Sequence, residues 1–78
     1  MTTQVMRLLN KLCADWGFCL SETAAQRIEN TKEITADEFA RRVLEAEGMN
    51  PEIDIHWRRK IREVFIETIG EDRYRKNH

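Results

Sequence analysis

Apolar residues recur at intervals of three and four along most of this chain, and this helical spacing is the feature that most constrains its fold. Near the start, Val5, Leu8, Leu12 and Trp16 fall on one stripe, and polar residues fill the opposite side. Such an amphipathic pattern is typical of a helix that buries one face in a core. The sequence therefore predicts a helical domain.

Start and stop signals divide the chain into four helical segments. Hydroxyl residues that cap helix starts are Thr2 or Thr3, Ser21 and Thr35, and glycines that end helices are Gly17, Gly48 and Gly70. Asn50 followed by Pro51 is a further start signal, because Pro fits the first position of a helix. We expect an all-α, small single-domain four-helix bundle with short loops. The predicted helices span 3–16, 22–29, 36–47 and 51–69, and residues 71–78 are predicted to form a flexible tail.

Composition favours a folded, soluble domain. The chain has 78 residues, 41% of them hydrophobic, with three Gly and one Pro, which excludes a disordered tail or a Gly/Pro-rich linker. It shows neither the continuous apolar segment of a signal peptide nor a stretch long enough to cross a membrane. We therefore expect a cytoplasmic protein that does not bind membranes.

The two cysteines, Cys13 and Cys19, both lie in apolar stretches. Their C-x5-C spacing matches neither a zinc site nor a thioredoxin-type motif. A small secreted protein held by disulfides usually has four or more cysteines. The sequence therefore predicts two buried, reduced thiols.

Catalytic machinery is not evident in the sequence. Ser21 is explained as a helix cap, and His56 lies near the edge of an apolar helix face, where we expect it to pack. Neither a phosphate-binding Gly-rich loop nor a metalloprotease motif occurs. We expect no enzymatic activity, no catalytic residues, no cofactor and no metal.

The stretch RIENTKEITADEF resembles the second half of an EF-hand, a helix–loop–helix unit that binds calcium. Ile34 falls at the eighth position of the loop and Glu38 at the twelfth. The resemblance would imply calcium binding, but calcium also needs oxygen ligands at positions one, three and five and a Gly at six. The residues at those positions are Arg27, Glu29, Thr31 and Lys32. The capping of a helix by Thr35 explains the same residues, so the sequence argues against a metal.

The predicted fourth helix carries apolar residues on two sides. Its broad core face comprises Ile53, Trp57, Ile61, Val64, Phe65, Thr68 and Ile69. Ile55 and Ile66 lie outside this face, next to Arg59 and Arg62. Either another part of the chain covers these two isoleucines, such as the first helix or the tail around Tyr74, or they form a surface for a partner.

The leading functional prediction is a small non-catalytic module for protein–protein interaction or regulation. The predicted partner-binding residues are Ile55, Arg58, Arg59, Arg62 and Ile66. In this hypothesis the isoleucines bury apolar area while the arginines orient an acidic partner. The partner is another protein or a second copy of the chain in a homodimer.

Nucleic-acid binding is the alternative hypothesis. It adds four basic residues to the arginines of the fourth helix, namely Lys60, Arg73, Arg75 and Lys76. The balance of charge does not favour it, because 13 Lys and Arg face 14 Asp and Glu in the whole chain. Binding to phosphates would weaken steeply with salt, whereas binding through the isoleucines would not.

Overall fold

The computed structural model describes residues 3–75 of the chain, in which two helices precede each of two short strands, with β1 leading directly into α3. The elements are α1 (Gln4–Trp16), α2 (Glu22–Glu29), β1 (Glu33–Thr35), α3 (Ala36–Ala46), α4 (Ile55–Ile69) and β2 (Arg73–Arg75). Side-chain oxygens of Thr3, Ser21 and Thr35 accept hydrogen bonds from the backbone N–H three residues further on, at distances of 3.1, 3.2 and 3.1 Å. These bonds satisfy N–H groups that the first turn of a helix leaves unpaired.

Helix α3 lies at the centre of the core. Its residues Phe39, Ala40, Val43 and Leu44 are fully buried, and it packs most extensively against α4. The rings of Phe39 and Phe65 lie 5.3 Å apart across this contact. Helix α1 packs against α2 and α4, and α2 packs against α3, so the helices surround one apolar cluster. The result is a compact, mostly helical domain.

Strands β1 and β2 form a small antiparallel sheet, which the sequence did not predict. Ile34 lies opposite Tyr74 in this sheet, and the N–H of Ala36 donates to the carbonyl oxygen of Asp72 at 2.7 Å. The all-α prediction therefore needs correction to a mostly helical domain with a two-stranded sheet, and the four-helix bundle remains a prediction. The predicted tail 71–78 is also wrong for 73–75, because pairing with β1 holds this segment. Residues 76–78 lie outside the described part.

Helix α4 begins four residues later than predicted. Asn50 caps a single turn instead of the long helix, since its side-chain oxygen accepts from the N–H of Glu52 at 2.9 Å. The carboxylate of Asp54 then accepts from the N–H of Asn50 at 3.0 Å, which closes this turn before α4 starts. Ile53, predicted for the core face, lies in the turn and is 75% exposed. Helix α3 ends one residue earlier than predicted, at Ala46.

A disulfide joins Cys13 and Cys19 around the end of α1, so the prediction of two reduced, buried thiols is wrong. Gly17 adopts the left-handed conformation, with φ of 76°, and its N–H donates to the carbonyl oxygen of Cys13. This bond from Gly17 is that of the αL capping motif, and the N–H of Phe18 also donates to the carbonyl oxygen of Leu12. This reversal brings the two cysteine Cα atoms within 4.3 Å, with Cys13 half-buried and Cys19 exposed.

Replacing both cysteines by Ser is expected to lower the free energy of unfolding by about 2 kcal/mol, because the cross-link closes a short loop in the unfolded chain. Urea denaturation of the wild-type and the Cys13→Ser/Cys19→Ser variant measures this difference. A dithiol reductant is the control, because it should destabilise the wild-type by a similar amount and leave the variant unchanged. Equal stability of the oxidised wild-type and the variant would contradict the expectation.

Within residues 3–75, no helix is both long enough and apolar enough to span a membrane.

Candidate interaction surface

Helix α4 presents a line of four exposed side chains that we call the α4 stripe: Ile55, Arg59, Arg62 and Ile66. Their spacing of four, three and four residues places them on one side of a helix. Ile55 is 54% exposed and Ile66 is 38% exposed, so neither α1 nor the described part of the tail covers them. The other side of α4 faces α3 and buries Phe65. The stripe is therefore an exposed surface with apolar residues at both ends.

Arg58, the fifth predicted contact residue, is bound to its own chain. Its Nε donates to the carboxylate of Asp37 at 3.0 Å, and one of its Nη atoms donates to the carbonyl oxygen of Pro51 at 3.4 Å. The hydrogen bond to Asp37 raises the pKa of the Arg58 guanidinium above its ordinary value. Arg58 thus ties α4 to the first turn of α3, and it positions the stripe instead of belonging to it.

Arg59 and Arg62 have no such partner. Among the described residues, no carboxylate oxygen lies within 4.0 Å of either guanidinium, and the pair between Arg59 and Glu63 that their spacing allows is not formed. Together with Ile55 and Arg58, the two arginines line a shallow depression of about 230 Å³. The centre of the stripe therefore carries two positive charges that are open to a partner.

The residues of the nucleic-acid hypothesis make separate local contacts. Arg73 and Arg75 both reach the carboxylate of Glu33, at 2.7 and 3.4 Å, across the small sheet. The Nζ atom of Lys60 lies 5.4 Å from the centre of the Trp57 ring, a cation–π distance. Lys76 lies outside the described residues. Two of the four cations thus share a carboxylate with each other, and this reduces the positive charge offered to a phosphate.

An aromatic cluster joins the end of α1 to α4, and the sequence analysis missed it. The ring of Trp57 lies 5.7 Å from that of Trp16 and 5.1 Å from that of Phe18, and all three side chains are half-buried. His56 is exposed beside Trp57, with 5.9 Å between the rings. The turn at Gly17 was the available signal, because it points Phe18 back towards the last turn of α1. The cluster fixes the N-terminal half of α4 against α1.

The EF-hand-like loop between α2 and α3 is closed by an arginine. One Nη atom of Arg42 donates to the hydroxyl of Thr31 at 2.9 Å, and the other lies 3.9 Å from the carboxylate of Glu38. The hydroxyl of Thr31 in turn donates to the carbonyl oxygen of Arg27 at 3.0 Å. Thr31 and Glu38 fall at the fifth and twelfth loop positions, so a guanidinium links two positions where calcium takes ligands. In residues 3–75, no three His, Cys, Asp or Glu side chains are grouped as metal ligands.

Comparison with models of protein families, with curated proteins and with solved structures finds no match for this chain.

Proposed function

We propose that this protein is a small non-catalytic protein–protein interaction or regulatory module that binds its partner through the α4 stripe. The proposal is carried by the exposure of Ile55 and Ile66 on either side of two arginines that form no ion pair within residues 3–75. Removing apolar surface from water contributes roughly 25 cal/mol per Å², and the part that exceeds the entropic cost of association stabilises a complex. Interface centres are enriched in apolar residues and Arg, and depleted in Lys and Glu. The stripe has this composition.

A rigid scaffold supports the stripe on the opposite side of α4. The Arg58–Asp37 ion pair and the aromatic contact of Trp57 with Trp16 hold α4 against α3 and α1. A surface that is already ordered loses little conformational entropy when a partner binds. Two exposed isoleucines on such a scaffold suit a binding module better than a catalytic site.

Capture from an extract of the source cells tests this proposal. Immobilised wild-type protein is compared with the Ile55→Ser/Ile66→Ser variant and with Ile53→Ser, a control that loses an exposed isoleucine outside α4. We expect wild-type and control to retain the same protein, and the double variant to retain about tenfold less of it. Circular dichroism should show equal helix content in all three proteins, because the replaced side chains are exposed.

Three outcomes would contradict the proposal. Loss of the captured protein after nuclease treatment would favour the nucleic-acid alternative, in which Lys60, Arg73, Arg75 and Lys76 act with the arginines of α4. Equal loss in the Ile53→Ser control would indicate unspecific adhesion to apolar side chains. Unfolding of the double variant would assign Ile55 and Ile66 to the core.

A further inference from the structure

The α4 stripe has the charge pattern of a surface that selects an acidic partner. Its two central residues, Arg59 and Arg62, are both positive, and the carboxylate nearest to them on α4 belongs to Glu63. Glu63 lies about 100° further around the helix than Arg62 and one turn beyond Arg59, but within residues 3–75 it forms no ion pair with either arginine. Asp37 neutralises Arg58, and within residues 3–75 it forms no ion pair with Arg59 or Arg62. The stripe therefore presents, between two apolar ends, two positive charges that form no ion pair with the described residues.

A second copy of the chain is a poor match for this surface. If two stripes pack antiparallel, with Ile55 of one copy on Ile66 of the other, then Arg59 of one copy faces Arg62 of the other. If they pack parallel, each arginine faces itself. Both two-fold arrangements thus bring like charges together at the centre of the interface, where their repulsion costs free energy. Charge complementarity argues against the homodimer and for an acidic partner.

We infer that the α4 stripe binds an acidic amphipathic helix of another protein. Ile55 and Ile66 are eleven residues apart, which spans about 16 Å along a helix. A partner helix with apolar residues at the same separation and carboxylates between them would bury both isoleucines and pair with both arginines. This inference rests on the proposed function, because it names the partner of the same surface.

A charge-reversed copy of the protein is a direct probe for this inference. The Arg59→Glu/Arg62→Glu variant keeps the two isoleucines at their spacing and carries carboxylates between them, so it presents the helix that we infer. Sedimentation velocity is measured for the wild-type, for the variant and for their equimolar mixture. We expect each protein alone to stay monomeric and the mixture to associate at least about tenfold more tightly than either alone. Added salt should weaken the association in the mixture.

The same mixture with Ile55→Ser/Ile66→Ser in place of the wild-type is the matched control, and it should not associate. If circular dichroism shows that the Arg59→Glu/Arg62→Glu variant is unfolded, the single variant Arg59→Glu is compared with the wild-type instead. In the antiparallel arrangement its new carboxylate faces Arg62 of a second copy, so this single variant should self-associate where the wild-type does not.

Two results would overturn the inference. Self-association of the wild-type to the same degree as the mixture would identify a second copy as the occupant of the stripe. A folded charge-reversed variant that fails to associate with the wild-type would exclude an acidic helix. Neither result depends on capture from the extract. The inference can therefore fail while the proposed function stands, and the proposed function can fail while the inference stands.

Discussion

Replacing Phe65 by Ala is expected to remove a large part of the stability of this domain. Phe65 has no exposed surface, and its ring lies 5.3 Å from that of Phe39, where α3 and α4 meet. Truncating a buried Phe typically costs about 3–5 kcal/mol, because transfer free energy is lost and a cavity remains. A domain of this size has a total stability of about 4–12 kcal/mol. Urea denaturation followed by circular dichroism measures the loss.

The neighbouring residue in the sequence provides the control. Ile66 lies about 100° further around α4 than Phe65 and is 38% exposed, so Ile66→Ala should lower the free energy of unfolding by less than about 1 kcal/mol. Equal losses in the two variants would contradict the assignment of Phe65 to the core and Ile66 to the surface. The two variants also separate stability from binding, since the Ile66 variant should keep nearly all of its stability and still lose the partner.

Local signals explain why the helices could be predicted from the sequence. Ser21 and Thr35 cap helices with their own side chains, and Gly17 ends α1 in a conformation that residues with a Cβ rarely adopt. These signals act within a few residues of each other. They give α2 the range that was expected, and they place the ends of α1 and α3 within one residue of the prediction.

The small sheet depends on contacts that the sequence does not display. Strands β1 and β2 have three residues each, too few to show an alternating pattern, and Ile34 and Tyr74 are forty positions apart. The start of α4 was missed for a related reason. Asn50 and Pro51 are good start signals, but the carboxylate of Asp54 closes a separate turn there.

The candidate site was partly accessible to sequence analysis. Helical periodicity alone places Ile55 and Ile66 on one side of α4 with two arginines between them. Whether another segment covers that side depends on tertiary packing, which the periodicity of one helix does not show. The pairing of Arg58 with Asp37 also depends on tertiary packing, because the two residues are 21 positions apart. For this reason the prediction gave five equivalent contact residues, whereas the structure separates Arg58 from the other four.

Replacing Ile34 by Ala is expected to destabilise the domain and release the small sheet from the core. Ile34 is 1% exposed and is the central residue of β1, so its truncation should cost about 2–5 kcal/mol. Because β1 is held to β2 by few hydrogen bonds, the sheet should open before the helices do. Amide hydrogen exchange measures this opening at the N–H of Ala36, which donates to Asp72 of the segment before β2.

The protection of the Ala36 amide should therefore fall by a larger factor than that of the amides in the middle of α3. Ile53→Ala is the matched control, since it removes the same atoms from a side chain that is 75% exposed, and it should change the stability by less than about 0.5 kcal/mol. A loss of stability with equal changes in protection at Ala36 and in α3 would show that the sheet and the helices open as one unit. In that case the sheet would belong to the same cooperative unit as the core around Phe39 and Phe65, and its short strands would not open independently of the helices.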